Sequence, residues 1–295
     1  MVMKHPPLSD MDGVTIGHWT DAVARTGSTV IRFNRQALSA AEVRGAAPGT
    51  RELETMAPGR LEQHVDAIVF TGGSAFGLRA ADGVVQELAD LGRGYPTSAG
   101  PVPIVPAAVI YDMAVGDPVA PTPQNGRHAF RSAQPLSSVE QGRIGAGAGA
   151  IFGKISQEET RTGGLGIAQT WLGPDAVTAV VVLNAMGTVR PPGADVRAGL
   201  IQKRRRIPDP GQATTLISVV TSAPCDHGAL IRVCIAAHDA LARLVVPAHT
   251  MLDGDVAFAS TTAEGPRDTG ASMYLSMAAE LAVEAAIHRA ASATI

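Results

Sequence analysis

Aromatic side chains are scarce in this sequence: 2 Trp, 3 Tyr and 6 Phe make up 4% of its 295 residues. Large rings cannot fill most of the core, so Ala, Val, Leu and Ile must fill it in closely set layers. Cysteine is scarcer still, with only Cys225 and Cys234. They fall in what reads as one turn-plus-helix segment and fit reduced thiols rather than a disulfide framework, which makes a cytoplasmic location the default expectation. Neither sign of charge dominates, since 24 Lys+Arg against 27 Asp+Glu leave a net −3. That balance argues against binding nucleic acid or an anionic membrane through bulk charge. No run reaches the roughly 18 apolar residues a membrane span needs. The start, MVMKHPPLSD, lacks the apolar region of a signal peptide. No clear linker, repeat or low-complexity tract divides the chain.

What is abundant is glycine and proline, 32 and 20 residues, beside a 45% hydrophobic share that excludes disorder as the main state. Strand-like runs stand at Ser28 to Phe33, Ala67 to Phe70, Ala176 to Leu183, Leu216 to Thr221 and Val256 to Ser260. Leu78, Ala81, Val85 and Leu88 repeat at helical spacing behind a candidate cap at Ser74. Leu230, Cys234, Ala237, Leu241 and Leu244 do the same until Pro247, and a last helix is expected over Ser272 to Arg289. The sum is mixed α and β, with helices covering sheets. Between Ile201 and Ala213 the character changes: Lys203, Arg204, Arg205 and Arg206, then two prolines and a glycine, read as a solvated loop. A buried-looking strand opens immediately after it with Thr214-Thr215-Leu216.

Several familiar motifs fail on inspection. Gly72-Gly73-Ser74-Ala75-Phe76 misses the nucleophile elbow at its last position. The run from Gly145 to Ala150 fits G-x-G-x-x-A but follows no convincing strand, and Gly153-Lys154 lacks the first glycine and the hydroxyl of a phosphate-binding loop. None of the 8 His sits at metal-ligand spacing. His249, four residues before Asp253, reads as a hydrogen-bonded core or loop histidine rather than a base. No metal site and no cofactor site is expected.

A set of separate segments remains: Thr71 to Leu78 (TGGSAFGL), Pro106 to Asp112 (PAAVIYD), Gly145 to Lys154 (GAGAGAIFGK), Leu183-Asn184-Ala185, Thr214-Thr215-Leu216, and His249 to Asp255 (HTMLDGD). Each alone is weak. In this order, from about Gly13 to the last helix, the chain resembles the DmpA-type self-cleaving aminopeptidase and amidase family, and within it the nylon-oligomer hydrolase (NylC) branch. The resemblance implies one αββα sandwich like that of the N-terminal-nucleophile hydrolases but differently connected. It implies a single self-cleavage, here between Ala213 and Thr214, giving chains 1–213 and 214–295. It implies that these stay together and assemble as a homotetramer of such heterodimers. It implies no cofactor.

The residues suit those roles. A Thr hydroxyl is a poor nucleophile without an adjacent base, and a Thr214 freed by cleavage carries its own α-amine, with a pKa near 7.7–8.0. Without the resemblance, Thr214 reads as a β-branched strand residue. Asp253-Gly254-Asp255 reads either as a hairpin turn or as two carboxylates on one face of an extended segment, placed to orient the Thr214 amine and hydroxyl. By resemblance Lys154 and Asn184 line the nucleophile. Lys154 would lower the hydroxyl pKa or hold the cleavage geometry, and Asn184 would donate to the oxyanion. Tyr111 matches a family tyrosine near the same site, and a buried aromatic with a bonded hydroxyl is an equal reading of it.

Thr at the nucleophile position and Asp-Gly-Asp resemble the NylC branch, where the aminopeptidase branch resembles Ser with Ser-x-Glu. The leading expectation is therefore an endo-acting amidase that opens linear amide oligomers such as those of 6-aminohexanoate. The alternatives are an aminopeptidase or amidase on short peptides or β-amino-acid amides, and an uncut, non-catalytic binding or scaffold relative. One departure stands out. Where the NylC branch has Asn before the nucleophile and the other branch often Gly, this chain has Ala213, which puts the efficiency of self-cleavage in question.

Overall fold

The structure is a computed structural model that describes residues 7–155, 160–190, 212–266 and 268–293. Eight strands carry the fold: β1 Val14–Asp21, β2 Thr26–Val43, β3 His64–Thr71, β4 Ala107–Val109, β5 Leu165–Leu172, β6 Asp175–Asn184, β7 Thr214–Thr221 and β8 Val256–Thr261. Among the described residues four α-helices accompany them: α1 Ala80–Asp90, α2 Pro123–Arg131, α3 His227–Leu244 and α4 Thr269–Ala291.

The ladder runs β4-β3-β2-β8-β7-β6-β5, with β1 added on β2. β7–β8 and β3–β4 pair in parallel, and the other neighbours pair antiparallel. β2 is the hinge between two halves. Its register against β3 shifts between Arg32 and Ala37, and such an irregularity bends a strand. Before the shift β2 pairs with β1, and beyond it with β8. The halves therefore fold over one another and bury a common core.

The two-residue period of a strand decides which residue enters which layer. On β6, Val180 and Val182 enter the core between the half-sheets, while Val177, Ala179, Val181 and Leu183 face α3 and α4. On β8, Val256 and Phe258 face inward and Ala257 and Ala259 face the helices. On the other half, Ile68 and Phe70 of β3 enter the same central core, and Ala67 and Val69 pack with α1 and α2. The result is a four-layer αββα sandwich. Strands covered on both faces read as continuous apolar runs rather than alternating ones, which is why β6 and β7 were visible in the sequence.

Layers this close need small residues. Gly166 of β5 lies against the Ala286 carbonyl of α4, where any Cβ would collide with it. Asp226 caps α3 by accepting from the Ala229 N–H at 2.8 Å, and Asp268 caps α4.

All five expected strands lie inside observed ones, and both later helices form with slightly wider bounds. The expected cap at Ser74 is corrected. A capping residue has an extended backbone, whereas Ser74 is left-handed (φ 53°) and opens a short 3-10 turn, Ser74–Arg79, so α1 begins only at Ala80. β1, β4, β5 and α2 lie outside the elements expected from the sequence. Cys225 and Cys234 are both buried and free. The basic run at 203–206 lies outside the described residues. Among the described residues no helix is long and apolar enough to cross a membrane.

Candidate active site

Thr214 is the first residue of β7, in the middle of the ladder, paired with Asn184 at the end of β6. It is only 4% exposed. Its hydroxyl donates to the carbonyl oxygen of Ala213 at 2.6 Å. That carbonyl also accepts from the Gly254 N–H at 2.9 Å, and Ala213 forms a parallel bridge with Asp253. The nucleophile candidate and the bond expected to break are thus held together, with a backbone donor already on the carbonyl. Gly254 can approach so closely only because it lacks a Cβ, which would stand 2.7 Å from the Thr214 Oγ1.

Lys154 reaches the same point from the loop after Gly145. Its Nζ donates to Asn184 Oδ1 at 2.7 Å, to the Asn184 carbonyl at 3.2 Å, and to the carbonyl of Gln212. Burial, opposed only in part by Asp253 and Asp112, pushes the Lys154 pKa down to about 7. The Asn184 amide has a fixed orientation: its Oδ1 also accepts from the Ile151 N–H at 3.1 Å, so its Nδ2 must point the other way, where it meets the Tyr111 carbonyl at 3.3 Å. It is the Tyr111 backbone, not its phenol, that meets Asn184.

The two carboxylates of Asp253-Gly254-Asp255 are both buried at 1% exposure. Asp255 Oδ1 accepts from the Thr215 N–H at 2.7 Å, and Oδ2 accepts from the His249 N–H at 3.0 Å and pairs with His249 Nδ1 at 2.9 Å. Asp253 accepts from the Met186 N–H at 3.1 Å and from the Thr250 N–H at 2.9 Å. Burial and then the neighbouring Asp255 raise the Asp253 pKa. In the continuous chain the carboxylates therefore hold the backbone around Thr214, and the Thr214 hydroxyl is turned to Ala213.

All seven residues singled out in the sequence, Tyr111, Lys154, Asn184, Ala213, Thr214, Asp253 and Asp255, fall in one region. One neighbour escapes the sequence reading. Asp112 accepts from the Gly73 N–H at 2.7 Å and is pushed up in pKa by burial. Its only signal is adjacency, since it ends the segment noted for Tyr111. His249, expected as a hydrogen-bonded core or loop histidine, is hydrogen-bonded to Asp255. Among the described residues no group of three His, Cys, Asp or Glu is placed to hold a metal ion.

A four-layer αββα sandwich with these groups at the head of a central strand defines the class, the N-terminal-nucleophile hydrolase fold in a variant form. The chain belongs to peptidase family S58, which it matches over residues 7–295. It is similar to an uncharacterised aminopeptidase of Mycobacterium leprae, 35% identical over an alignment of 319 positions that covers 95% of this chain and 86% of that protein. It is also similar to a 6-aminohexanoate-oligomer endohydrolase of an Agromyces species, 31% identical over 86% of this chain and 74% of that protein. Among solved structures, the l-aminopeptidase d-Ala-esterase/amidase of Ochrobactrum anthropi, described as a variant of the Ntn-hydrolase fold, superposes with a TM-score of 0.76 at 20% identity, covering 95% of this chain and 84% of that one. A Burkholderia β-aminopeptidase gives a TM-score of 0.74 at 22% identity over 98% and 88%. Hydrolysis of peptide or amide bonds is accordingly the reaction class of the family to which the chain belongs.

Proposed function

We propose that the chain is a self-processing amide hydrolase whose nucleophile is Thr214, released as an N-terminal residue by cleavage after Ala213. The observation that carries this reading is the Thr214 hydroxyl at 2.6 Å from the Ala213 carbonyl oxygen, beside a lysine whose pKa burial pushes down to about 7. In maturation the hydroxyl oxygen attacks the Ala213 carbonyl carbon, and the Gly254 N–H bears on the developing oxyanion. The C–N bond breaks as the Thr214 nitrogen gains a proton. Water then hydrolyses the resulting ester, leaving the Ala213 carboxylate and a free Thr214 amine. In turnover that amine takes the hydroxyl proton as Oγ1 attacks a substrate amide. The second N–H of Asn184 Nδ2 is the side-chain donor best placed for the oxyanion. The departing amine takes the proton, and water hydrolyses the acyl-enzyme.

The substrate class favoured here is the linear amide oligomer of the 6-aminohexanoate kind, cut internally. It rests on Thr with Asp-Gly-Asp at the site and on the likeness to the Agromyces endohydrolase. An aminopeptidase on short peptides or β-amino-acid amides is the second reading, favoured by the higher identity to the mycobacterial aminopeptidase. A free-amine amino-acid p-nitroanilide set against an N-blocked oligomer separates the two. Two buried free thiols suit the cytoplasmic location that belongs to the same reading.

The first experiment is the intact mass of the purified protein under denaturing conditions. Cleavage gives two chains of about 8 and about 22 kDa, in proportion to their residue numbers out of 30.3 kDa. A single 30.3 kDa species from a freshly folded and fully aged preparation overturns the reading.

A further inference from the structure

His249 occupies a position that a histidine seldom takes. Its backbone is left-handed, with φ 54°, a conformation that persists in a non-glycine residue only where its surroundings fix it. What fixes it is Asp255, whose Oδ2 accepts from both the backbone N–H and the ring Nδ1 of His249. The opposite ring nitrogen, Nε2, faces a second acceptor, the His238 carbonyl of α3 at 3.4 Å. A ring with an acceptor at each nitrogen is suited to carry two protons. The other oxygen of the same carboxylate, Oδ1, accepts from the Thr215 N–H at 2.7 Å. One carboxylate thus spans His249 and the first peptide bond of β7, the bond that joins Thr214 to the sheet.

We propose that His249 is a positioning residue for the nucleophile: its ring, held between Asp255 and the His238 carbonyl, clamps the Asp255 carboxylate that fixes the Thr214–Thr215 peptide. The inference rests on the reading of Thr214 as nucleophile. Once the Ala213–Thr214 bond is cut, the pairing of Ala213 with Asp253 no longer restrains Thr214 through the chain. The position of the freed amine and hydroxyl then depends on β7 and on Asp255. A clamp on Asp255 matters most in that state.

The charge environment agrees. Burial alone lowers the His249 pKa, but Asp255, with smaller help from the His238 carbonyl and Asp253, raises it above the ordinary value of 6.5. From α3, the His238 ring stands edge-on to it at 4.9 Å between centroids. Burial pushes His238 down to about 4, and its Nε2 donates to the Glu42 carbonyl of β2. His238 is therefore a neutral wall, and the clamp's charge belongs to His249 and the two carboxylates of its own segment.

The test compares two substitutions. His249→Ala removes the ring donor. His249→Asn keeps it, because an Asn Nδ2 stands close to where the His Nδ1 does, and Asn also tolerates a left-handed backbone. In the matured enzyme, His249→Ala lowers kcat about a hundredfold with KM little changed, as expected for a misplaced reacting group. His249→Asn restores most of it. A His249→Ala enzyme with wild-type kcat, or a folded His249→Asn as poor as the Ala variant, overturns the proposal. NMR titration of the His249 ring, assigned by its loss in His249→Asn, supplies a readout that needs no turnover and no Ala variant. Its pKa lies above 6.5 and falls when Asp255 is replaced by Asn. An ordinary value unmoved by Asp255→Asn overturns the clamp. A wild-type chain that stays uncut and inactive while this titration behaves as described overturns the Thr214 reading instead.

Discussion

Lys154 is a cation placed where one is costly. Its ammonium lies under the carbonyls of Asn184 and Gln212, with burial driving its pKa from 10.5 to about 7. Above that pH the folded chain holds a neutral amine, able to take a proton beside the Ala213–Thr214 bond. The rate of maturation, followed by denaturing mass on freshly refolded chain, should therefore rise as pH increases through about 7 and level off above it. Lys154→Arg, which stays charged, should mature at least about a hundredfold more slowly above that pH, within the range of acid–base effects, with the deficit narrowing as pH falls and wild-type Lys154 becomes charged as well. The sign for stability is the same. Between about 7 and 10.5 the unfolded chain binds a proton that the folded chain does not, so the Lys154 contribution to stability rises with pH across that window. Thr214 gives the sharpest test at this scale. Thr214→Ala should remain one chain on denaturing mass and show no turnover of any amide, and normal turnover by that variant would end the proposed function.

At the scale of elements, the candidate site is made where strands begin and end. Thr214 opens β7, Asn184 closes β6, and Asp255 immediately precedes β8. The parallel pairing of β7 with β8 brings the segment before β8 alongside the residue before β7, which is why Gly254 donates to Ala213. This contact makes Gly254 the critical small residue. In Gly254→Ala the new Cβ would stand 2.6 Å from the Ala47 carbonyl and 2.7 Å from the Thr214 hydroxyl, closer than side chains tolerate. The expected outcome is a folded chain, checked by circular dichroism, whose maturation is slowed by at least about tenfold, since the oxyanion donor is displaced. Maturation at the wild-type rate would mean that this N–H plays no part.

For the whole molecule, the proposed cleavage would fall next to a strand held on both sides. β7 is hydrogen-bonded to β6 on one side and β8 on the other. Its two faces belong to the central core and to the core under α3 and α4. A cut before Thr214 would leave chain 214–295 carrying β7, β8, α3 and α4, interleaved with β2, β5 and β6 of the other chain. The matured halves should therefore elute together on native size exclusion, separating only in denaturant. Elution as two species without denaturant would contradict the packing described here.

By itself the sequence determined the composition of the layers. Continuous apolar runs marked β6 and β7 because both their faces are covered, and the spacing of Leu230, Cys234, Ala237 and Leu241 marked α3. Six motifs in order brought together the residues of the site, from Tyr111 to Asp255. β1 escaped because His18, Trp19 and Thr20 in Val14–Asp21 are only half-buried, which leaves no clean alternation to read. The cap at Ser74 was misread because a left-handed backbone is set by the packing of neighbouring segments and not by the residue's own preference. The tertiary structure alone decided what each polar group faces. A sequence gives the spacing of Asp253 and Asp255 but not the end of β6 and the start of β7 that bring Met186 and Thr215 onto their oxygens. Nor does it show that Lys154 is buried under Gln212, or that His249 shares a carboxylate with the peptide after Thr214. Those contacts join residues far apart in the chain, and hydrogen bonding and desolvation act on distance in space.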